Sequence, residues 1–343
     1  MPEETPIQVL GGRLLPWLRE PLSQLESAQR SGRLGHAWIL AGPRGVGKIN
    51  LALAAAQRLL TATAGGPPPP ELGPADAVAA MAERHQAADH HPDLHWVYPA
   101  EDKRTIAIEQ VRDVSDALAL KGYSGAAKVV ILEPAEAMTV AAANALLKTL
   151  EEPTAESYLL LVSHEPQRLP PTVRSRCQRL TLPRPPRERV RQWLGEVPEG
   201  PFETAWLLAD GSPLRVAARL LGHDSSLSYK ELEEELLAVS TNRADPQAVA
   251  ARWVKLDPAA VLEWLSRRLE LAIRARLARA MPTSVTDIDP RALHNAWADV
   301  PARTLFERLD TAQKLLNRSG TGINMELALR ALLLDFQGRR GET

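Results

Sequence analysis

The chain has 343 residues and a mass of 37.6 kDa, with 41 basic against 42 acidic side chains and a formal net charge of -1. This length predicts about two or three domains, and the charge balance excludes a bulk nucleic-acid coat or a polybasic membrane anchor while leaving room for a local basic groove. A single cysteine, Cys177, excludes an internal disulfide framework and a cysteine-based zinc cluster. No apolar run reaches about 18 residues and Glu3 and Glu4 precede any hydrophobic stretch, so a soluble, cytoplasmic protein without membrane contact is expected.

In chain order, residues 36–41 read as a buried strand that runs into the glycine-rich turn Gly42–Gly47, and a helix rich in Ala and Leu follows over 48–60. Residues 63–76 (TAGGPPPPELGPAD) are expected to form a Pro/Gly linker without regular structure. Residues 94–98 are a second strand, after which Val111, Val114 and Leu118 mark one helix face. A third strand over 128–133 is almost continuously apolar, as a strand covered on both faces should be. Thr139 is a candidate N-cap for a helix that carries Leu146, Leu147 and Leu150 and stops before Pro153. Residues 158–163 form a fourth strand and 178–182 a short fifth.

Strands followed by turns and helical patterns predict an α/β domain with a parallel sheet. After Pro183 the strand pattern ends, giving a helical block over about 187–222 in which Gly211-Ser212-Pro213 starts a helix. From 226 onward only helices are expected, one of them carrying Val261, Leu265, Leu269 and Ile273 at every fourth residue. The expected division is therefore an α/β domain over 1–182, a small helical lid over 183–225 and an all-helical domain over 226–343.

Gly42-Pro-Arg-Gly-Val-Gly-Lys48 sits between a strand and a helix, where a phosphate-binding loop belongs. Gly42, Gly45 and Gly47 would let backbone N–H groups surround an anion, and Lys48 would reach its terminal phosphates. The next residue should carry a hydroxyl for Mg²⁺ but is Ile49, whose hydrocarbon branch cannot ligate a hard cation. The third strand should end in an acidic pair that organises metal and water, yet reads Glu133-Pro134, and Glu136 is expected to point elsewhere. Loss of both parts should slow hydrolysis by roughly 10³-fold or more. A loop that binds ATP or ADP without cleaving it, and a loop retained for backbone geometry alone, both remain open.

Other stretches are more specific. Asn144-Ala-Leu-Leu-Lys-Thr-Leu-Glu-Glu-Pro153 resembles the matching segment of the AAA+ subunits of bacterial DNA polymerase III clamp loaders. Ser175-Arg176-Cys177, Gly322-Ile-Asn324 and Leu34-Gly-His36 fit the same family, so the landmarks span nearly the whole chain. The degenerate loop and acidic pair make it similar to the non-hydrolysing, delta-prime kind rather than to the gamma/tau kind. The resemblance implies an α/β AAA+ domain, a lid and a C-terminal collar in a five-subunit ring with gamma/tau and delta subunits. It also implies that Arg176 acts as an arginine finger in trans at a neighbour's ATP, that Ser175 and Arg176 lie at the subunit interface, and that the assembly places a sliding clamp on primed DNA through partial, mostly backbone contact. From the residues alone, Arg174 and Arg176 could instead bind carbonyls at a strand entrance, and Cys177 reads as a packed residue rather than a nucleophile.

Glu151 and Glu152 sit at the C-terminal end of the helix that stops before Pro153, where the macrodipole disfavours negative charge by about 0.3–1 kcal/mol each. Two readings are open, a solvated helix end or contact with basic residues of an adjoining subunit. The family's four-cysteine zinc module has no counterpart, so zinc is not expected. His85, His90, His91 and His95 cluster with Asp89 and Asp93, but they lack tetrahedral ligand spacing and Pro92 interrupts them. The arginine expected after Gly-Ser-x in the second domain is replaced by Leu214, with Arg215 one residue late. The rival reading is an autonomous ATPase of gamma/tau type that uses Glu133 with Lys48.

Overall fold

Five parallel strands form one sheet in the order β2-β3-β4-β1-β5: β1 (Ala37–Ala41), β2 (Leu94–Val97), β3 (Lys128–Leu132), β4 (Ser157–Ser163) and β5 (Gln178–Thr181). This is a computed structural model, and it describes residues 5–61, 66–84, 91–101, 103–119, 127–197, 202, 203, 205, 206, 209–221, 229–278, 290–318 and 323–337. Two units are distinguished, Met1–Glu196 with Gly211–Ala218, and Val197–Asp210 with Arg219–Thr343.

In the first unit the helices are α1 (Pro6–Gly12), α2 (Arg19–Arg30), α3 (Lys48–Leu60), α4 (Pro74–Glu83), α5 (Ile108–Ala119), α6 (Val140–Glu151), α7 (Pro171–Arg174) and α8 (Arg187–Leu194). Alternate strand residues point to opposite faces. Ile39, Val130, Leu132, Leu159 and Leu161 pack with Val111 and Val114 of α5 and Leu146 and Leu150 of α6. Their strand neighbours Leu40, Val129, Ile131 and Leu160 are equally buried, and α3 packs against β1, β3 and β4. The central strands are thus covered on both sides, which is why they read as unbroken apolar runs.

The five strands and α3 lie within one residue of their expected ends, and Thr139 Oγ1 accepts the Ala142 N–H at 3.1 Å as a cap. The linker expectation requires correction. The Leu14 N–H donates to Pro70 O and the Leu72 N–H to Leu14 O, making an isolated bridge, and α4 already begins at Pro74. Proline suits the first turn of a helix because its missing N–H would have no partner there, and the buried Leu72 draws the preceding segment inward. Two N-terminal helices, α1 and α2, carry no element in the sequence reading. Asn50 ties this region to α3: its Oδ1 accepts the Leu15 N–H at 3.0 Å and its Nδ2 donates to the carbonyls of Leu10 and Arg13.

The helix α9 (Pro213–Leu220) starts at the expected Gly211-Ser212-Pro213. All but the last two residues of α9 belong to the first unit; the second unit's described helices are α10 (Tyr229–Ser240), α11 (Pro246–Trp253), α12 (Pro258–Ala278), α13 (Pro290–Ala296), α14 (Ala302–Arg318) and α15 (Met325–Leu334). Val261, Leu265, Leu269 and Ile273 all enter the core of this unit, as their spacing predicts. Trp253 and Trp264 meet edge to face there with ring centroids 5.9 Å apart. Among the described residues no helix is long and apolar enough to cross a membrane.

Candidate functional site

The loop Gly42–Gly47 joins the C-terminal end of β1 to α3, and Gly45 (φ 71°) and Gly47 (φ 91°) hold left-handed conformations that side chains disfavour. Contacts close this loop from outside. The Trp17 indole N–H donates to Val46 O at 2.9 Å, and a Cβ on Gly47 would lie 2.4 Å from Leu15 Cδ1. Across the loop, the Leu214 N–H donates to Gly45 O at 3.2 Å, and a Cβ on Gly45 would come within 1.9 Å of Ser212 Oγ. The start of α9 therefore rests directly on the middle glycine.

Lys48 does not face outward. Its Nζ donates to Gly42 O at 2.7 Å and to Pro43 O at 2.6 Å. Burial lowers its pKa to about 8, against the pull of the Glu136 and Glu133 carboxylates, and Arg44 adds to the lowering. Ile49 is fully packed at 2% exposure, which leaves no hydroxyl at the metal position. The Glu133 carboxylate lies 3.7 Å from the Arg84 guanidinium, and the Glu133–Pro134 peptide is cis.

Glu136 corrects the expectation that it points elsewhere. Its Oε1 accepts the N–H groups of His164 at 2.9 Å and Glu165 at 3.3 Å, just past β4. The three-residue turn Ala135–Ala137 swings the carboxylate to this end of the sheet. Burial raises its pKa, but the nearby Ser163 hydroxyl and the His164 N–H outweigh burial and hold it below the usual carboxylate range. His164 is the residue that sequence reasoning missed. Burial first, then the Lys48 charge, pushes its pKa down to about 4. The available signal was the polar pair Ser163-His164 at the end of an apolar strand.

A magnesium-bound nucleoside triphosphate does not fit this donor set. The metal hydroxyl is replaced by hydrocarbon, the lysine is committed to its own loop's carbonyls, and the loop's middle glycine lies under Ser212. Leu214, at the position where an arginine is expected, is buried and bonded to the loop instead.

The second cluster lies at the other end of the sheet. Arg176 precedes β5 by two residues, and Gln178, the first residue of β5, pairs in register with Trp38 near the start of β1. Lys48 follows the far end of β1. Trp38 to Ala41 alone spans about 10 Å along the strand direction, so Arg176 and Lys48 occupy opposite ends of one sheet.

The structure brings Arg176 and Glu151 together, a pairing that sequence reading missed. Arg176 Nη2 lies 2.6 Å from Glu151 Oε1. Its Nη1 donates to Thr172 O at 3.0 Å and to Ser175 Oγ at 3.3 Å. The guanidinium thus binds a carbonyl, as one sequence reading has it, and still remains 36% exposed. Ser175 Oγ donates to Thr172 O at 3.1 Å. Glu151 finds a cation within its own chain, whereas Glu152 is exposed and makes no ion pair among the described residues. Cys177 is half-buried and burial pushes its thiol up to about 12, which suits a packed residue and not a nucleophile.

Of the histidine cluster, His85, Asp89 and His90 lie outside the described residues. His91 Nδ1 accepts the Asp93 N–H at 3.1 Å, and burial lowers the His95 pKa. No group of three or more metal-ligating side chains occurs among the described residues.

Comparison with known proteins follows the same two units. Residues 17–186 match the family described as DNA polymerase III, delta subunit, and residues 226–338 match DNA polymerase III, delta subunit, C terminal. The Pseudomonas aeruginosa DNA polymerase III subunit delta′ is 35% identical over 339 residues, covering 96% of this chain and 98% of that protein. Its Escherichia coli counterpart is 32% identical, covering 95% of this chain and 96% of that protein. The Bacillus subtilis DNA polymerase III subunit tau is 28% identical over 62% of this chain and 37% of its own length. With identity of this level sustained over nearly the full length of both sequences, the chain belongs to the family of bacterial DNA polymerase III delta′ subunits.

Proposed function

We propose that this chain is a non-catalytic stator subunit of a DNA polymerase III clamp loader, supplying Arg176 in trans to the ATP site of a neighbouring gamma/tau subunit. The observation that carries the reading is the placement of Arg176 at the sheet end opposite its own phosphate loop. A guanidinium there cannot serve the loop of its own chain. It is permanently charged and planar, and so suited to stabilise charge on a transferring phosphoryl group across an interface. Lys48, bonded to Gly42 O and Pro43 O, and Ile49 support the absence of hydrolysis in cis.

In this reading residues 183–225 act as the lid and 226–343 as the collar that holds the subunit in a five-membered ring with gamma/tau and delta. The assembly loads the sliding clamp on primed DNA in the cytoplasm, with partial contact to the nucleic-acid backbone. Similarity to both delta′ and tau relatives supports membership in such a mixed assembly.

The test replaces Arg176 in the reconstituted complex. Arg176→Ala should leave folding and assembly intact while lowering ATP turnover by the complete loader at least tenfold, of the order seen when such arginines are removed. Unchanged turnover removes the role. Hydrolysis by the purified chain alone, abolished by Lys48→Ala, would establish the autonomous ATPase instead.

A further inference from the structure

We infer that Glu151 is a positioning residue for Arg176, holding the guanidinium in the pose that it offers to a neighbour's nucleotide; this rests on the arginine-finger reading above. A carboxylate in the last turn of α6 opposes the helix dipole, so the helix itself gives no reason for its charge. Its reason lies across the gap to α7, where Glu151 Oε1 meets Arg176 Nη2 at 2.6 Å.

The platform beneath this pair is fixed. Leu150, the preceding residue, and Val173, three residues before Arg176, are buried in the same core, and α6 packs on α7. Arg176 is thereby held from two elements, with Thr172 O and Ser175 Oγ on one side and the Glu151 carboxylate on the other. A guanidinium carries five N–H donors, and these contacts take about three, leaving about two for phosphate oxygens. Without Glu151 the exposed side chain keeps only contacts within its own turn and can swing about its flexible stem. Preorganisation of a charge-stabilising group is what transition-state stabilisation rewards, and a displacement of about 1 Å can cost up to about 10²-fold in rate.

The pair is half-exposed, and such ion pairs add little to folding stability. A purely structural role would therefore appear, if anywhere, in unfolding and not in turnover. The experiment uses the full chain in the reconstituted complex, comparing Glu151→Ala, Glu151→Gln, Arg176→Ala and the Glu151→Ala/Arg176→Ala double variant. Glu151→Ala should lower kcat for ATP by roughly tenfold with KM changed less than about twofold. Glu151→Gln, which keeps a hydrogen-bond acceptor, should recover part of the loss, and the double variant should turn over no more slowly than Arg176→Ala. Full turnover by Glu151→Ala beside a slow Arg176→Ala overturns the positioning role and leaves the finger standing. Additive losses in the double variant also overturn it, because Glu151 would then act without Arg176. Full turnover by Arg176→Ala overturns the finger reading itself, and the positioning role with it.

Discussion

The two ends of the parallel sheet treat their cations in opposite ways. At the end where β1 and β4 finish, Lys48 is turned onto the carbonyls of its own loop, Ser212 and Leu214 sit over Gly45, and Trp17 and Leu15 close the outer side. At the end where β5 begins, Arg176 is held by Thr172, Ser175 and Glu151 yet stays exposed. Under the proposed function, the contrast teaches how a nucleotide-binding framework can lose its own chemistry while keeping a part useful to another subunit. The length of the strands separates the two ends.

The largest test of the closed end is Gly45→Ala. The residue would carry a Cβ in the left-handed region and against Ser212 Oγ, combining about 1–2 kcal/mol of backbone strain with about 1–3 kcal/mol of overpacking. A loss of about 2–5 kcal/mol in urea unfolding is expected, with partial recovery when Ser212→Gly is added. A loss below about 1 kcal/mol would mean that the start of α9 does not rest on the loop in solution.

A second, somewhat smaller effect is a pH dependence. Burial lowers Lys48 from 10.5 to about 8. Between those values the unfolded chain binds the proton that the folded chain has released, so stability rises with pH across that window. Relative to Lys48→Met, which lacks the step, the native chain should gain up to about 3 kcal/mol from pH 8 to 10.5 in denaturant titrations. Parallel curves would show that the ammonium is solvated and the loop open.

The smallest effect sharpens the independence of the two ends, since α6 runs from one to the other. Thr139→Ala removes the cap on the Ala142 N–H and should lower stability by about 1 kcal/mol. The same variant should leave turnover by the assembled loader unchanged. A fall in turnover matching that of Glu151→Ala would show that a disturbance at one end of α6 reaches the other.

Much of this was readable beforehand because the relevant signals are local. Ile49 and Pro134 lack the required atoms in any conformation, so the loss of the metal hydroxyl and of the acidic pair needed no coordinates. Strand runs such as 128–132 and the cap at Thr139 depend on neighbours within a few residues. What escaped were contacts between segments distant in sequence. Leu14 pairs with the stretch Pro70–Leu72, which turns an expected structureless linker into a bridged segment, and Asn50 binds three backbone groups some 35 to 40 residues earlier in the chain. Glu136 was directed away because spacing from a strand end does not reveal where a three-residue turn aims its side chain.

Residue types and their spacing thus settled which atoms the loop lacks, a hydroxyl at Ile49 and a carboxylate at Pro134, since those belong to the side chains present. They also settled where the strands and long helices lie, because those follow from periodicity. Packing alone decided that Lys48 bonds its own loop, that Ser212 covers Gly45, and that Glu151 holds Arg176 at the opposite end of the sheet. The physical reason is range: a side chain 25 residues away meets another only after strand register and helix docking have brought them within hydrogen-bonding distance, and nothing in the local pattern encodes that approach.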